Sequence, residues 1–255
     1  MKISIITVTF NSASVIEDCL MSIANQSYKN IEQIIVDGAS SDGTVDILNL
    51  HAKNISVLIS EPDKGIYHAM NKGLSVAKGD IIGILNSDDF YNNNEVLSNV
   101  IKVFEEDSSL DACYADLLYV GRTDISHIVR YWKSNQFCPG SFSKGWCIPH
   151  PTLFVRRSIY EKYSNFNLNY QIAADVDLTI RFFEMQKIRV RYVPEIWVNM
   201  RLGGVSNKNL KNIFIQNLEI LRALKSYGLQ VNFISFFINK LFLRAIQFLQ
   251  RPINL

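Results

Sequence analysis

Four short apolar runs alternate with helical patterns over the first 85 residues, and this βαβα rhythm narrows the fold more than any other feature of the chain. Residues 3–10 are a β-branched and aromatic run without polar alternation, the pattern of a strand buried on both faces of a parallel sheet. A helix follows, opened by the capping box Ser14-Val15-Ile16-Glu17 and carrying Ile16, Leu20, Ile23 and Ala24 on one stripe. Strands at 31–36, 55–60 and 81–85 and helices at 44–51 and 66–77 continue the alternation. Ser41-Asp42-Gly43 leads into the second helix, with Asp42 as its cap. The fold class is α/β, a doubly wound and mostly parallel mixed sheet. Beyond Asn86 the pattern predicts a helix at 95–104, a strand at 110–120 and a loop-rich stretch through Gly145. A strand at 153–157 comes next, then a helix at 175–186 with Leu178, Phe182 and Met185 on one side, and a strand at 188–193. Two helices, at 209–227 and 231–250, complete the pattern.

With 255 residues, 48% hydrophobic and 20% charged, the chain has enough apolar surface for a core and too much for disorder. No internal period marks a repeat architecture. Charge is uneven. Of 26 basic and 24 acidic residues, seven basic ones (Lys208, Lys211, Arg222, Lys225, Lys240, Arg244, Arg251) but only Glu219 among the acids fall in 207–255. That segment is therefore +6 and the first 206 residues −4. An acidic body argues against a nucleic-acid partner, and a basic apolar tail fits an anionic membrane surface better. Cys19, Cys113, Cys138 and Cys147 show no zinc-site spacing, so reduced thiols are expected. Met1-Lys2-Ile3-Ser4 runs into a strand pattern rather than a cleavable leader, and no apolar run is long enough to span a bilayer. A cytoplasmic location, peripheral on the inner face of the plasma membrane, is the expectation.

Ligands of an open parallel sheet bind outside the carboxyl ends of its strands. Thr9 and Asn11 follow the first strand, Asp37 the second, Glu61 and Asp63 the third, Asp88 and Asp89 the fourth. Carboxylates crowded along one edge repel unless a cation or a donor-rich ligand relieves them, and a divalent metal with a nucleotide diphosphate does both. No G-x-G-x-x-G follows the first strand and no P-loop is present, so dehydrogenase and ATPase readings lose their support. Oxygen ligands without a His or Cys cluster favour Mg²⁺ or Mn²⁺.

These segments resemble the family 2 glycosyltransferases of A-type fold, in the branch that builds exopolysaccharide and O-antigen. Ile3-Ser4-Ile5-Ile6-Thr7-Val8-Thr9-Phe10-Asn11 is similar to the family's first strand and nucleotide loop, and Ile35-Val36-Asp37-Gly38-Ala39-Ser40-Ser41-Asp42-Gly43-Thr44 to its second-strand signature. Glu61-Pro62-Asp63-Lys64-Gly65-Ile66-Tyr67 and Ala69-Met70-Asn71-Lys72-Gly73 resemble a segment of that branch, and Leu85-Asn86-Ser87-Asp88-Asp89 stands at the metal motif. His150-Pro151-Thr152-Leu153-Phe154-Val155-Arg156-Arg157 resembles an acceptor-side strand. Ala173-Ala174-Asp175-Val176-Asp177-Leu178 resembles the base segment, and Arg201-Leu202-Gly203-Gly204-Val205-Ser206 a glycine loop. Asn86, Gly38 and His68 replace the acids many members carry there, and His68 reads as a helix-surface residue.

The resemblance implies a nucleotide-sugar donor held by Thr7, Thr9, Asn11, Asp37, Asp63, Lys64 and Asp88, with Mn²⁺ or Mg²⁺ on Asp88 and Asp89. It leaves open how these two acids divide metal and ribose. It implies Asp175 as catalytic base, with Asp177 as a helix-terminus carboxylate, and an inverting transfer of a hexosyl group, UDP-linked by family frequency. The implied acceptor is a glycan or a lipid-linked sugar. Residues 1–206 form the catalytic domain, with a nucleotide-sugar half to about 120 and an acceptor half from 121, and 207–255 a helical extension. Residues 231–250 plot as a helix with Asn232, Asn239, Lys240, Arg244, Gln247 and Gln250 on one half, spoiled there by Phe236 and Leu243. Contact with a membrane, with the catalytic domain or with a second subunit of a homo-oligomer are equal readings of it. The rival functions are a non-catalytic sugar-nucleotide binding module, motivated by Asn86, and a nucleotidyltransferase, whose expected glycine-rich basic loop is missing from this chain after Phe10.

Overall fold

The computed structural model describes residues 1–203, 210–250 and 252. β1 (Ile3–Thr9), α1 (Ile16–Ala24), β2 (Ile31–Asp37), α2 (Thr44–Leu50), β3 (Val57–Ser60), α3 (Ile66–Val76) and β4 (Ile81–Ile84) follow one another as the alternation predicts. β1 pairs in parallel with β2 on one side and β4 on the other, and β3 lies outside β2. Every residue of β1 is buried. Ile3 and Ile5 pack with Cys19 and Ile23 of α1, whereas Ile6 and Val8 join Met70 and Leu74 of α3. Burial on both faces explains why the run lacks polar alternation.

The capping box does not form. α1 starts at Ile16 without a side-chain cap, and the Val15 and Ile16 amides donate to the Ser12 carbonyl at 3.0 and 2.9 Å. This turn is held from the neighbouring loop instead: Ser12 N donates to Thr44 Oγ1 at 2.8 Å and Ala13 N to Asp42 Oδ2 at 3.0 Å. Asp42 also accepts from the Thr44 amide at 3.1 Å and so closes the turn into α2, but the cap position itself is held by Gly43 and not by Asp42.

The remaining elements are β5 (Asp89–Tyr91), α4 (Val96–Glu106), β6 (Ala112–Val120), β7 (Ile128–Trp132), β8 (Phe154–Arg156), α5 (Arg157–Tyr163), α6 (Ala174–Ile180), β9 (Val190–Arg201), α7 (Leu210–Ser226) and α8 (Phe233–Leu249). The sheet runs β3-β2-β1-β4-β8-β6-β9-β5, with β7 also on β6. It is mixed: the β1–β4 side is parallel, as is β6 with β9, while β4–β8, β6–β8, β6–β7 and β5–β9 are antiparallel. β5, β7 and α5 are absent from the sequence pattern, β5 because three residues give no periodicity.

Two predicted boundaries move for local reasons. β9 continues to Arg201 rather than ending at Val193, because a bulge opposite Ala115 takes up Val193, Pro194 and Glu195 between paired Tyr192 and Ile196. Proline cannot donate to a ladder, and a bulge lets the strand pass it. The helix predicted at 175–186 changes to a π-helical turn at Arg181–Met185. Phe182 stays buried, but the widened turn rotates Met185 out to 39% exposure.

Ile220, Ala223 and Leu224 of α7 and Phe236 of α8 belong to the same buried cluster as Ile6 and Val36, so the C-terminal helices share a core with the sheet. The junction at 206/207, the glycine-loop residues Gly204, Val205 and Ser206, and Asn209 lie outside the described residues. Among the described residues no helix is long and apolar enough to cross a membrane. The four cysteines are unpaired thiols.

Candidate active site

The carboxyl ends of β1, β2 and β4 do bring polar groups to one edge. Asp37, the last residue of β2, is fully buried and accepts from Ser40 N at 3.1 Å, from Ser60 Oγ at 2.7 Å, and from Ser40 Oγ. Asn11 has a left-handed backbone, φ 48°, and its side chain accepts from Ser41 N at 2.9 Å, so it ties the β1 loop to the β2 loop. Thr9 is buried with no partner for its hydroxyl among the described residues. Asp63 accepts from Gly65 N at 2.7 Å, and its other oxygen lies where a side chain on Gly38 would begin, 2.7 Å from an ideal Cβ. Gly38 thus stands in place of an acid because Asp63 and the Phe10 ring occupy its space. Lys64 is exposed beside it, and its amide lies 3.5 Å from His68 Nδ1. Thr7 differs from the rest: it is fully buried inside the strand, 3.8 Å from Cys19 Sγ.

The acid pair lies beyond β4. Asp89 opens β5 and has no exposed surface; Asn86 Nδ2 donates to one of its oxygens at 3.2 Å and the other has no partner among the described residues. Burial first, then the adjacent Asp88 charge, pushes the Asp89 carboxyl well above the usual carboxylate range. Asp88 is half-buried and is also shifted upward by burial, with Arg122 and Arg201 pulling it back. Arg201, at the end of β9, braces the turn by donating to the Asp88 carbonyl at 3.0 Å and pairing with Asp18 of α1. Two carboxylates, one with a buried oxygen that has no partner among the described residues, beside an Asn86 side-chain Oδ1 that has none there either, suit a hard divalent cation. Among the described residues no group of three or more His, Cys, Asp or Glu gathers to hold one alone. Further ligands must come from a bound anion or water.

Asp175, on the first turn of α6, lines a cavity of about 460 Å³ together with Asn86, Tyr67 and His150. The Tyr67 hydroxyl lies 3.1 Å from Asp175 Oδ1 and donates to the Ile172 carbonyl at 2.6 Å. Glu219 of α7 fixes the approach to α6, accepting from the amides of Gln171, Ile172 and Ala173 at 2.8–2.9 Å. This is the arrangement that three consecutive unpaired amides before a helix require. Burial holds the His150 imidazole below its ordinary range, while the Asp175 charge pulls it upward. Asp177 points elsewhere: it accepts from Tyr227 at 3.1 Å, faces Arg181 at 3.9 Å and is 1% exposed. Asp175 alone of the two reaches the cavity.

The sequence pattern did not single out Tyr67, Glu219, Arg201 or Asp116 for a role. Glu219 carried one signal, as the lone acid of a basic segment. Asp116 is 1% exposed in β6 and accepts from Ser134 N at 2.7 Å, Tyr192 Oη at 2.8 Å and the Tyr131 hydroxyl, which anchors the end of β7. His51, at the end of α2, meets Glu17 of α1 at 3.1 Å.

An open α/β edge lined with acids and facing a carboxylate-bearing cavity is the layout of a nucleotide-sugar transferase. The family model described as glycosyl transferase family 2 matches residues 4–164, and the chain belongs to that family. A PGL/p-HBAD biosynthesis glycosyltransferase of Mycobacterium bovis is 30% identical over 226 residues, 84% of this chain and 83% of its own. Chondroitin synthase of Pasteurella multocida is 29% identical over 84% of this chain, which spans 22% of that larger enzyme. Among solved structures, a mannosyltransferase of Pyrobaculum calidifontis in complex with GDP-Man and Mn²⁺ superposes with a TM-score of 0.66 at 23% identity, over 97% of this chain and 69% of its own. S. aureus TarS 1–349 with UDP gives a TM-score of 0.62 at 20% identity, over 87% of this chain and 66% of its own. The fold is the A-type glycosyltransferase fold.

Proposed function

We propose that this glycosyltransferase transfers a hexosyl group, with inversion, from a nucleotide-sugar such as a UDP-hexose to a hydroxyl of a glycan or lipid-linked sugar during surface polysaccharide synthesis. The observation that carries the reading is the placement of Asp175 and Asn86 on one cavity, so that the base meets the end of β4 beside the acid pair. Neighbours of this fold bind UDP or GDP-Man with Mn²⁺, which supports the donor class.

Asp37, Asn11, Thr9 and Asp63 orient the nucleoside, with Lys64 at the exposed rim. Asp88 and Asp89 would hold Mn²⁺ or Mg²⁺, whose bound form supplies Lewis-acid stabilisation of the departing diphosphate. An acceptor hydroxyl ionises far above neutral pH, so a positioned carboxylate must take its proton as attack develops. Asp175 fills that role, its carboxyl steered by Tyr67 and its loop fixed by Glu219.

The apolar half of α8 faces outward: Ile234 is 73% exposed, Leu241 69% and Leu249 82%. That face supports contact with a bilayer that presents the acceptor. Exchange of Ile234, Leu241 and Phe242 for Gln should abolish flotation with anionic liposomes while leaving soluble turnover intact. Equal flotation removes the membrane contact. The function itself is tested by screening UDP-, GDP- and dTDP-sugars for Mn²⁺-dependent thermal stabilisation and donor hydrolysis. Stabilisation without any turnover favours the binding-module alternative, and no stabilisation removes the donor assignment.

A further inference from the structure

The cavity that holds Asp175 has a second wall of opposite charge. Arg130 from β7, Lys133 just beyond its end, and Lys240 and Arg244 from α8 line it, and among the described residues Asp175 is the one carboxylate in the lining. Arg130 is 6% exposed, its guanidinium carbon 3.7 Å from the Tyr119 ring centroid and 5.5 Å from that of Phe248. Among the described residues no carboxylate lies within ion-pair distance of Arg130, Lys133 or Lys240, although ion pairs occur elsewhere on the molecule. The Lys240 ammonium donates to the neutral Asn217 side chain at 2.6 Å. Ser134, 6% exposed on the same wall, has a hydroxyl without a partner among the described residues.

Arg130 is buried and Lys240 half-buried in this wall, and among the described residues no carboxylate sits at ion-pair distance to offset the desolvation of these two charges. The direction of titration agrees: burial, with Arg244 nearby, lowers both Arg130 and Lys240 from their ordinary ranges. A planar guanidinium, ammonium groups and a hydroxyl converging from β7, the two residues after it and α8 match an anion with several oxygens better than a single carboxylate. The donor diphosphate is assigned to the acid edge, so this anion belongs to the second substrate; the inference rests on that assignment.

We infer that the acceptor carries a phosphoryl group, held by Arg130, Lys133, Lys240, Arg244 and the Ser134 hydroxyl across the cavity from Asp175. The apolar remainder of the lining, including Trp132, Trp146 and Ile148, accommodates the group to which that phosphate is attached.

The full-length protein saturated with UDP and Mn²⁺ is titrated calorimetrically with inorganic phosphate, farnesyl phosphate and farnesol. At least one phosphoryl probe should bind, and farnesol should not match it. Arg130→Gln and Lys240→Gln should each weaken that binding by about tenfold or more, the scale of a charged hydrogen bond, while UDP affinity stays within about twofold. Lys133→Gln, on an exposed side chain, repeats the test if loss of the Arg130 stack unfolds the protein. Farnesyl phosphate binding about tenfold tighter than inorganic phosphate assigns a lipid-linked source, and equal binding a soluble or glycan phosphate. The inference is overturned by absent phosphoryl binding, by farnesol binding as well as farnesyl phosphate, by unaltered binding in the variants, or by UDP affinity falling in step with the probe. If UDP does not bind the wild type, the donor reading fails separately, and the same titrations on nucleotide-free protein still interrogate the cationic wall.

Discussion

The donor edge of the sheet and the cavity around Asp175 are assembled over different distances. At the edge, Asp37 is satisfied by Ser40 three residues away and by Ser60 at the end of the adjacent strand, and Asp63 by Gly65 two residues on. Around Asp175 the contacts span the chain: Tyr67 lies 108 residues away in sequence and Glu219 reaches 46 residues back to Ala173. The edge is acidic with buried unpartnered oxygens, whereas the far wall of the cavity is cationic. The difference teaches that one half is a platform fixed by strand ends, and that the other exists only once α7 and α8 have docked.

The largest test of this contrast is Asp175→Asn. Turnover should fall at least about 100-fold, the lower scale for a general base, with UDP affinity unchanged. Near-wild-type turnover removes Asp175 from its role, and a parallel loss of UDP binding erases the separation of the two regions. Docking of α8 comes next. Phe236 is 1% exposed, and its carbonyl lies 2.7 Å from an ideal Cβ on Gly145, whose φ of +84° and close approach both exclude a side chain. Phe236→Ala should cost about 3 kcal/mol in denaturant unfolding, with acceptor affinity lost before donor affinity.

Asp89→Asn sharpens the other side. Donor affinity in Mn²⁺ should fall about 10- to 100-fold in a titration, the range seen when a metal site loses a supporting group. The same variant should change the pH profile. Asp89 titrates higher folded than unfolded, so its stabilising contribution is complete below the unfolded value, about 4, and is lost as pH rises through the folded value. Melting temperatures of metal-free wild type should therefore decline over that rise more steeply than those of Asp89→Asn, and identical slopes contradict the assignment. The smallest effect is expected for Gly38→Ala. Its methyl displaces the flexible end of Asp63, so donor affinity should drop by less than about tenfold, under about 1.4 kcal/mol. No change in affinity dissociates Asp63 from the nucleoside.

The elements from β1 to β4 were legible because β1, β2 and β4 are buried on both faces, the outer β3 keeps a short apolar run, and each crossover helix carries one apolar stripe. The placement of Asp37, Asp63, Asp88 and Asp89 near strand ends followed from the same periodicity. Beyond Asn86 the signal weakened for specific reasons. β5 has only three residues, Pro194 hides inside a bulge of β9, and a π-helical turn breaks the register that placed Met185 beside Phe182. Asp116, Tyr67 and Glu219 left no local pattern because their partners come from other elements.

Sequence alone determined that residues 231–250 form a helix with one polar and one apolar half. Only the tertiary structure decided that Lys240, Arg244 and Gln247 turn inward to the cavity while Ile234, Leu241 and Leu249 face out. Phe236 and Leu243, which interrupt the polar half, are the residues that seat it: Phe236 enters the core and Leu243 lines the cavity. The periodicity of a helix records which residues share a face. Which face meets the protein depends on the charge and shape of a surface built from distant segments, and no local pattern contains that.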